Sequence, residues 1–234
     1  TLVGAGKDKT GVNTIGTSER LRRFGASVAS KLLAEKIQSA AICLESFLTS
    51  EADLVTEPAV AAYSFLEGAG LAAYQYKKYL SKQDSAKSAL KITLVSDNDG
   101  TLAEYNRGLQ QAIALIEGAY IARNLGNEPS NELVPAEYAN YAKKLAQKHK
   151  LKFTVLDEKA LAKEKMGLLL GVGQGSINPP RLFVLEYAPK GATKTIAFVG
   201  KGMTFDSGGI SIKPSARMED MKHDMAGAAT MAAV

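Results

Sequence analysis

The sequence predicts an α/β fold in two domains, and three observations lead there. Short apolar runs such as AAICL, KITLV, FTVL and TIAFV alternate with longer stretches of helical periodicity, the pattern of strands flanked by helices. With 234 residues, 46% hydrophobic and 23% charged, the chain can bury a core in one large domain or two smaller ones. The turn-forming cluster Ser96-Asp97-Asn98-Asp99-Gly100 interrupts the pattern and marks the best internal boundary.

Each element follows from local signals. Leu2 to Gly4 reads as a strand. Glu19 to Lys36 reads as a helix whose first turn the hydroxyl of Thr17 or Ser18 can cap, and Ala40 to Leu44 returns as a strand. Glu57 to Tyr79 is again helical, with Pro58 in a first turn that tolerates it. Lys91 to Val95 closes this unit as a strand. Leu102 to Leu125 carries a long helical pattern that ends at Gly126 and Asn127, residues suited to a helix terminus. Pro135 to His149 is a further helix, Lys152 to Leu156 a strand and Asp157 to Lys165 a short helix. GVGQGSINPP, between Leu170 and Arg181, reads as a loop, while Arg181 to Tyr187 and Thr195 to Val199 read as buried strands. The expected organisation is a small amino-terminal α/β domain over residues 1–98, a connecting helix over 99–126, and the first part of a second α/β domain with a mixed central sheet over 127–234.

Composition excludes several function classes. No apolar run reaches the length of a membrane span, and TLVGAGKDKT lacks the features of a signal peptide. It also lacks an initiator Met, and the chain finishes in Ala-rich helical sequence, so the expectation is a piece of a longer polypeptide. Cys43, the single cysteine, lies in the apolar run AAICL and is expected to be a buried, inert thiol. Nothing argues for an oxidising compartment, which leaves the cytoplasm as the expected location. Net charge is +5, with 12 basic and 10 acidic residues over 1–98 and 17 and 14 over the rest. Neither part is a basic arm, so the charge reads as solvated surface and disfavours nucleic acid as a partner.

Motif inspection narrows the chemistry further. One Cys with His149 and His223 cannot assemble a structural Cys/His zinc site, and HExxH is absent. Neither GAGK at Gly4 nor GVGQG at Gly171 completes GxGxxG, and Lys201 lacks the surroundings of a phosphate-binding loop. What remains is Lys201-Gly-Met-Thr-Phe-Asp206-Ser-Gly-Gly-Ile-Ser-Ile-Lys213, followed by Met221 and Asp224. This segment follows a strand-like run, and α/β ligand sites gather beyond the carboxyl ends of strands. Carboxylates are hard ligands for divalent ions, and Asp206 has two oxygens with which to bridge a pair. Lys201 can ligate only as the neutral amine, which needs a nearby cation and burial. Asp224 would add a third ligand, and Met221 would share its face if the stretch is helical. Spacing alone leaves plainer readings open: Asp206 as a turn-former, the lysines as solvated charges, Met221 as core filler and the glycines as a tight bend.

The string VGKGMTFDSGGISIKPS, over residues 199–215, together with MEDMKHDMAGAA over 218–229, closely resembles the leucyl aminopeptidase (cytosol aminopeptidase) family of dinuclear metallo-exopeptidases. ARNLGNEPSN and VGQGSINPPRLFVLEY resemble corresponding family segments. By this resemblance Lys201, Asp206 and Asp224 are expected to be metal ligands, with Asp206 contacting both ions, and Lys213 the catalytic lysine. Met221 would line the pocket for the first side chain. The implied reaction is release of N-terminal amino acids, leucine-like ones preferred, from peptides with a free N-terminus. The implied cofactors are two divalent ions, Zn²⁺ and/or Mn²⁺ or Mg²⁺. A homo-oligomer, a hexamer by family analogy, is also implied.

The resemblance carries one departure. The remaining family site residues lie in an NTDAEGR-type motif, whose Asp and Glu complete the metals and whose Arg positions a bicarbonate, and the chain stops before it. The 234 residues alone are therefore expected to be inactive. Two rival readings stand beside the enzyme. One is a catalytically inactive, structural or DNA-binding protein on the aminopeptidase fold. The other is a nucleotide- or nucleic-acid-binding α/β domain, which the unclustered basic residues disfavour.

Overall fold

A computed structural model describes residues 16–45, 57–81 and 90–234. The chain divides into two compact units, Thr1–Tyr120 and Ile121–Val234, both mixing helices with short sheets in the expected α/β class. The strand expected at Leu2 to Gly4 lies outside the described residues.

Among the described residues the first element of the first unit is helix α1 (Thr17–Ala34). Its buried residues Leu21, Phe24, Gly25, Val28 and Ala29 recur with helical spacing, so one stripe faces the core. Glu19 in the first turn and Lys31 in the last suit the helix dipole. The expected cap is not used: Gly16 occupies the cap position in extended conformation, and Thr17 and Ser18 are already helical. Strand β1 (Ser39–Ile42) pairs in parallel with β2 (Lys91–Leu94), in register from Ser39 opposite Lys91 to Ile42 opposite Leu94. Alternate residues of both strands are exposed. Cys43 continues the exposed phase of β1, which corrects the expectation of a buried thiol.

Helix α2 (Pro58–Ala73) begins with Pro58 in its first turn, as expected, but stops six residues short of Tyr79. Tyr74 is extended (φ −59°, ψ 132°). Its ring packs edge-on against Tyr120 at 5.1 Å, while the Tyr120 hydroxyl donates to the Gly70 carbonyl at 2.7 Å. Packing of the tyrosines against the long helix α3 (Asp99–Asn127) thus replaces further turns of α2. Between α1 and α2 the main chains meet directly: a Cβ on Gly25 would collide with the Phe65 carbonyl, and one on Gly68 with that of Arg22. Arg22 pairs with the buried Glu67 at 2.8 Å beside this contact. The core holds Phe24, Val28, Leu44, Ala62, Phe65 and Tyr105, with the Phe24 and Phe65 rings 5.6 Å apart.

The second unit takes the last turns of α3, then α4 (Pro135–His149), β3 (Lys152–Leu156), α5 (Glu158–Lys163), α6 (Gly167–Gly173) and β4 (Leu182–Glu186). It ends in a 3₁₀ turn (Met218–His223) and α7 (Ala226–Ala233). Pro135 starts α4, and Lys150 in the left-handed conformation (φ 56°) ends it. Asp157 caps α5 rather than joining it, accepting from the Ala160 N–H at 2.9 Å. Helix α6 extends to Gly173, into the Gly-rich stretch expected to be loop.

Strands β3 and β4 pair antiparallel, Lys152 opposite Glu186 through Leu156 opposite Leu182. They are half-buried rather than fully buried. The Phe183 ring packs against Tyr138 of α4 at 5.2 Å, and the core joins Leu125, Leu133, Tyr138, Met225 and Ala229. Thr195 to Val199 is not a buried strand: among the described residues no neighbour pairs with it. Ile196 is 79% and Val199 91% exposed. Apolar character alone does not make a strand, because its N–H and C=O groups need a partner ladder.

Candidate functional site

Lys201 is placed by a close approach of two glycines. A Cβ on Gly200 would overlap the Gly227 carbonyl and lie 2.6 Å from the Cα of Ala228, so only glycine lets these backbones touch. The contact is latched by the Ala228 N–H, which donates to the Lys201 carbonyl at 2.8 Å. With its backbone held against the start of α7, Lys201 brings its Nζ within 2.6 Å of Asp224 Oδ2. Asp224 caps the 3₁₀ turn, its N–H donating to the Met221 carbonyl at 3.3 Å.

Asp206 and Lys213 face each other across the loop between them. Asp206 Oδ1 accepts from the Gly208 N–H at 2.9 Å, a local turn that Gly208 completes with φ 88°. The Lys213 N–H donates to the Ser207 carbonyl at 2.9 Å and folds the segment back on itself. Lys213 Nζ then reaches Asp206 Oδ2 at 3.0 Å and Met221 Sδ at 2.9 Å. The structure therefore brings the five expected site residues into one neighbourhood, with Lys201 paired to Asp224 and Lys213 joining Asp206 to Met221.

Electrostatics follow from this pairing. The Lys213 ammonium, and after it the Gly208 N–H, hold the Asp206 carboxyl below its ordinary range. The contact with Asp224 pushes Lys201 up, and the field of Asp206 adds to it. Two carboxylates thus sit among cations of the chain itself. Oxygen and amine donors of this kind suit hard or borderline divalent ions. The fit is partial: among the described residues no group of three or more His, Cys, Asp or Glu side chains could hold a metal ion.

Sequence reasoning missed two contributors. One is the Gly200–Gly227 approach, signalled only by glycines flanking Lys201 and within MAGAA. The other is Lys222, beside Met221, whose Nζ donates to the Asn127 carbonyl at 3.4 Å. An open cavity of about 370 Å³ lies beside α6, lined by Glu158, Leu170, Gln174 and Pro180 among others; none of the five site residues lines it.

Comparison with known proteins points the same way. Residues 120–234 match the model of the cytosol aminopeptidase family catalytic domain, and residues 1–83 match that of its N-terminal domain. A probable cytosol aminopeptidase of Desulfotalea psychrophila is 39% identical over 213 residues, covering 90% of this chain and 41% of that protein. One of Brucella ovis is 48% identical over 170 residues, covering 70% of this chain and 33% of that protein. The chain thus spans less than half the length of these curated relatives. Among solved structures, the bottromycin maturation enzyme BotP superposes with a TM-score of 0.77 at 29% identity, covering 92% of this chain and 42% of that one. A second structure of BotP, in complex with Mn, gives 0.76 at 29% identity, covering 92% of this chain and 43% of that one. With both family domains matched in order along the sequence and the same fold in a solved relative, the chain belongs to the cytosol aminopeptidase family.

Proposed function

We propose that the polypeptide carrying this chain is a metal-dependent aminopeptidase that releases N-terminal residues, leucine-like ones preferred, from peptides with a free N-terminus. What supports this most is the convergence of Lys201, Asp206, Lys213 and Asp224 inside the segment that matches the family's catalytic domain. Lys201, Asp206 and Asp224 would hold a pair of divalent ions, Zn²⁺ and/or Mn²⁺ or Mg²⁺. The chemistry such a pair supplies is activation of water and polarisation of the scissile carbonyl.

The chain's own residues do the rest. Asp206 presents two oxygens on a loop that Gly208 and Ser207 keep folded. Lys201 would hold an ion only as its neutral amine, the form with a lone pair to offer. Lys213, held by Asp206 and Met221, would direct its Nζ to the oxygen that gains negative charge during attack. Met221 offers an apolar wall to the first side chain of the peptide, which sets preference only by small energies. The family relatives are named cytosol aminopeptidases, which supports a cytoplasmic location. A homo-oligomer, a hexamer by analogy, belongs to the same reading, as does the expected organisation of residues 1–98, 99–126 and 127–234.

Three protein ligands cannot hold two ions firmly, so the 234 residues alone are expected to be inactive. The test compares the complete polypeptide with residues 1–234 on a leucyl amide, with Mn²⁺ or Zn²⁺. Turnover by the complete protein that a chelator abolishes is the expected result. No turnover by the complete protein, or turnover that survives the chelator, would overturn the function; robust turnover by residues 1–234 would overturn the incompleteness of their site.

A further inference from the structure

The 3₁₀ turn Met218–His223 carries residues of two kinds, and its geometry separates them. Three residues make one turn, so side chains three apart share an edge. Met221 and Asp224 share one such edge: Met221 meets Lys213 and Asp224 meets Lys201. Lys222 and Met225 share the next. Met225 is fully buried among Leu125, Leu133, Tyr138 and Ala229. Lys222 lies on the same side, donating to the carbonyl of Asn127, the last residue of α3. His223 lies near the same helix end, its Nδ1 3.7 Å from where a Cβ on Gly126 would stand.

We propose that Lys222 is a positioning residue that clamps the turn bearing Asp224 and Met221 to the C-terminus of α3, fixing both for metal and substrate. The inference rests on the metal-site reading above. The terminal carbonyls of a helix carry partial negative charge and lack partners within the helix. The last turn of α3 has no basic residue of its own, so Lys222 supplies that cation from 95 residues further along the chain. It binds a carbonyl rather than a carboxylate, which leaves Asp224 to Lys201 and Asp206 to Lys213. Its neighbour Asp224 cannot shift without moving the same turn, because the Asp224 N–H is bonded back to Met221.

The test uses the complete polypeptide, stripped of metal and titrated with Mn²⁺ alone, in wild type, Lys222→Met and Lys222→Arg. Loss of an outer support of a metal ligand costs about 10–100-fold in affinity. Lys222→Met, which keeps the apolar stem, is expected to weaken Mn²⁺ binding by at least about tenfold, and Lys222→Arg to restore most of it. On a leucyl amide, kcat should fall in Lys222→Met with little change in KM. Wild-type Mn²⁺ affinity in Lys222→Met, or an equal loss in Lys222→Arg, would overturn the inference. Should Lys222→Met fail to fold, Lys222→Gln carries the test, because it keeps a polar side chain at the position while removing the cation that reaches the Asn127 carbonyl. Unchanged Mn²⁺ affinity in that variant would likewise overturn the clamp. A wild type that binds Mn²⁺ yet cleaves no peptide defeats the aminopeptidase reading alone, whereas one that binds no Mn²⁺ defeats both.

Discussion

Gly200→Ala is the substitution from which the structure predicts most. The added Cβ would lie 2.5 Å from the Gly227 carbonyl carbon and 2.6 Å from the Ala228 Cα, backbone atoms that cannot rotate aside. Comfortable separation of carbon atoms is about 3.5–4.0 Å, so the two segments must part by about 1 Å. At that separation the Ala228 N–H to Lys201 carbonyl bond, now 2.8 Å, passes beyond hydrogen-bonding distance and forfeits about 1 kcal/mol. Overpacking adds about 1–3 kcal/mol, for a total destabilisation of about 2–4 kcal/mol. Lys201 would be drawn from Asp224 by the same movement, so Mn²⁺ affinity should fall with stability. Urea unfolding of the complete protein, followed by circular dichroism, measures the first effect, and Mn²⁺ titration the second. Gly202→Ala is the internal control, since its Cβ would meet only the Ala228 methyl at 3.2 Å. A Gly200→Ala protein with the unfolding midpoint and Mn²⁺ affinity of wild type would refute the reasoning, as would a Gly202→Ala protein equally damaged.

Three further substitutions separate the roles of individual residues. Asp206→Asn should cut leucyl amide hydrolysis by more than about 100-fold, the upper range for outer supports, while the loss of its solvent-screened ion pair with Lys213 leaves the urea midpoint nearly unchanged; near-normal turnover would exclude Asp206 as a ligand. Met221→Ala should shift kcat/KM toward larger N-terminal side chains by about 10–200-fold at most, and an unchanged preference across a series of aminoacyl amides would remove Met221 from the pocket. Tyr138→Phe deletes a buried hydroxyl that finds no partner among the described residues, so it should be neutral or stabilise by up to about 1 kcal/mol. Burial, and secondarily Tyr141, holds the Tyr138 phenol well above its ordinary value. The unfolded chain then releases this proton first, so wild-type stability should decline as pH rises above about 10. That part of the decline should be absent in Tyr138→Phe, and parallel urea midpoints for the two proteins across this range would contradict it.

Much of the fold was legible because its signals are local. The stripe of Leu21, Phe24, Val28 and Ala29 and the prolines at 58 and 135 each act within a few residues of chain. The failures share a different cause. Tyr74 leaves the helix because Tyr120, 46 positions away, offers a ring to pack on. Cys43 is exposed because strand phase, not the apolar character of its neighbours, sets its direction. Thr195 to Val199 has the composition of a strand without a described partner to pair with. For the site, the charged residues stood out through the family signature, while their support did not. Nothing local in MKHD says that Lys222 reaches Asn127, and nothing in VGKG says that Gly200 must meet Gly227.

The crossing of α1 and α2 has a consequence for how the first unit tolerates change. Where side chains set the spacing of two helices, a bulkier residue on one can be answered by a smaller one opposite. At Gly25 and Gly68 the peptide planes themselves are the spacers, and no residue elsewhere can be trimmed to make room. A library randomised across both helices should therefore recover variety at Phe24, Val28 and Phe65 and return almost nothing but the wild-type residue at those two sites.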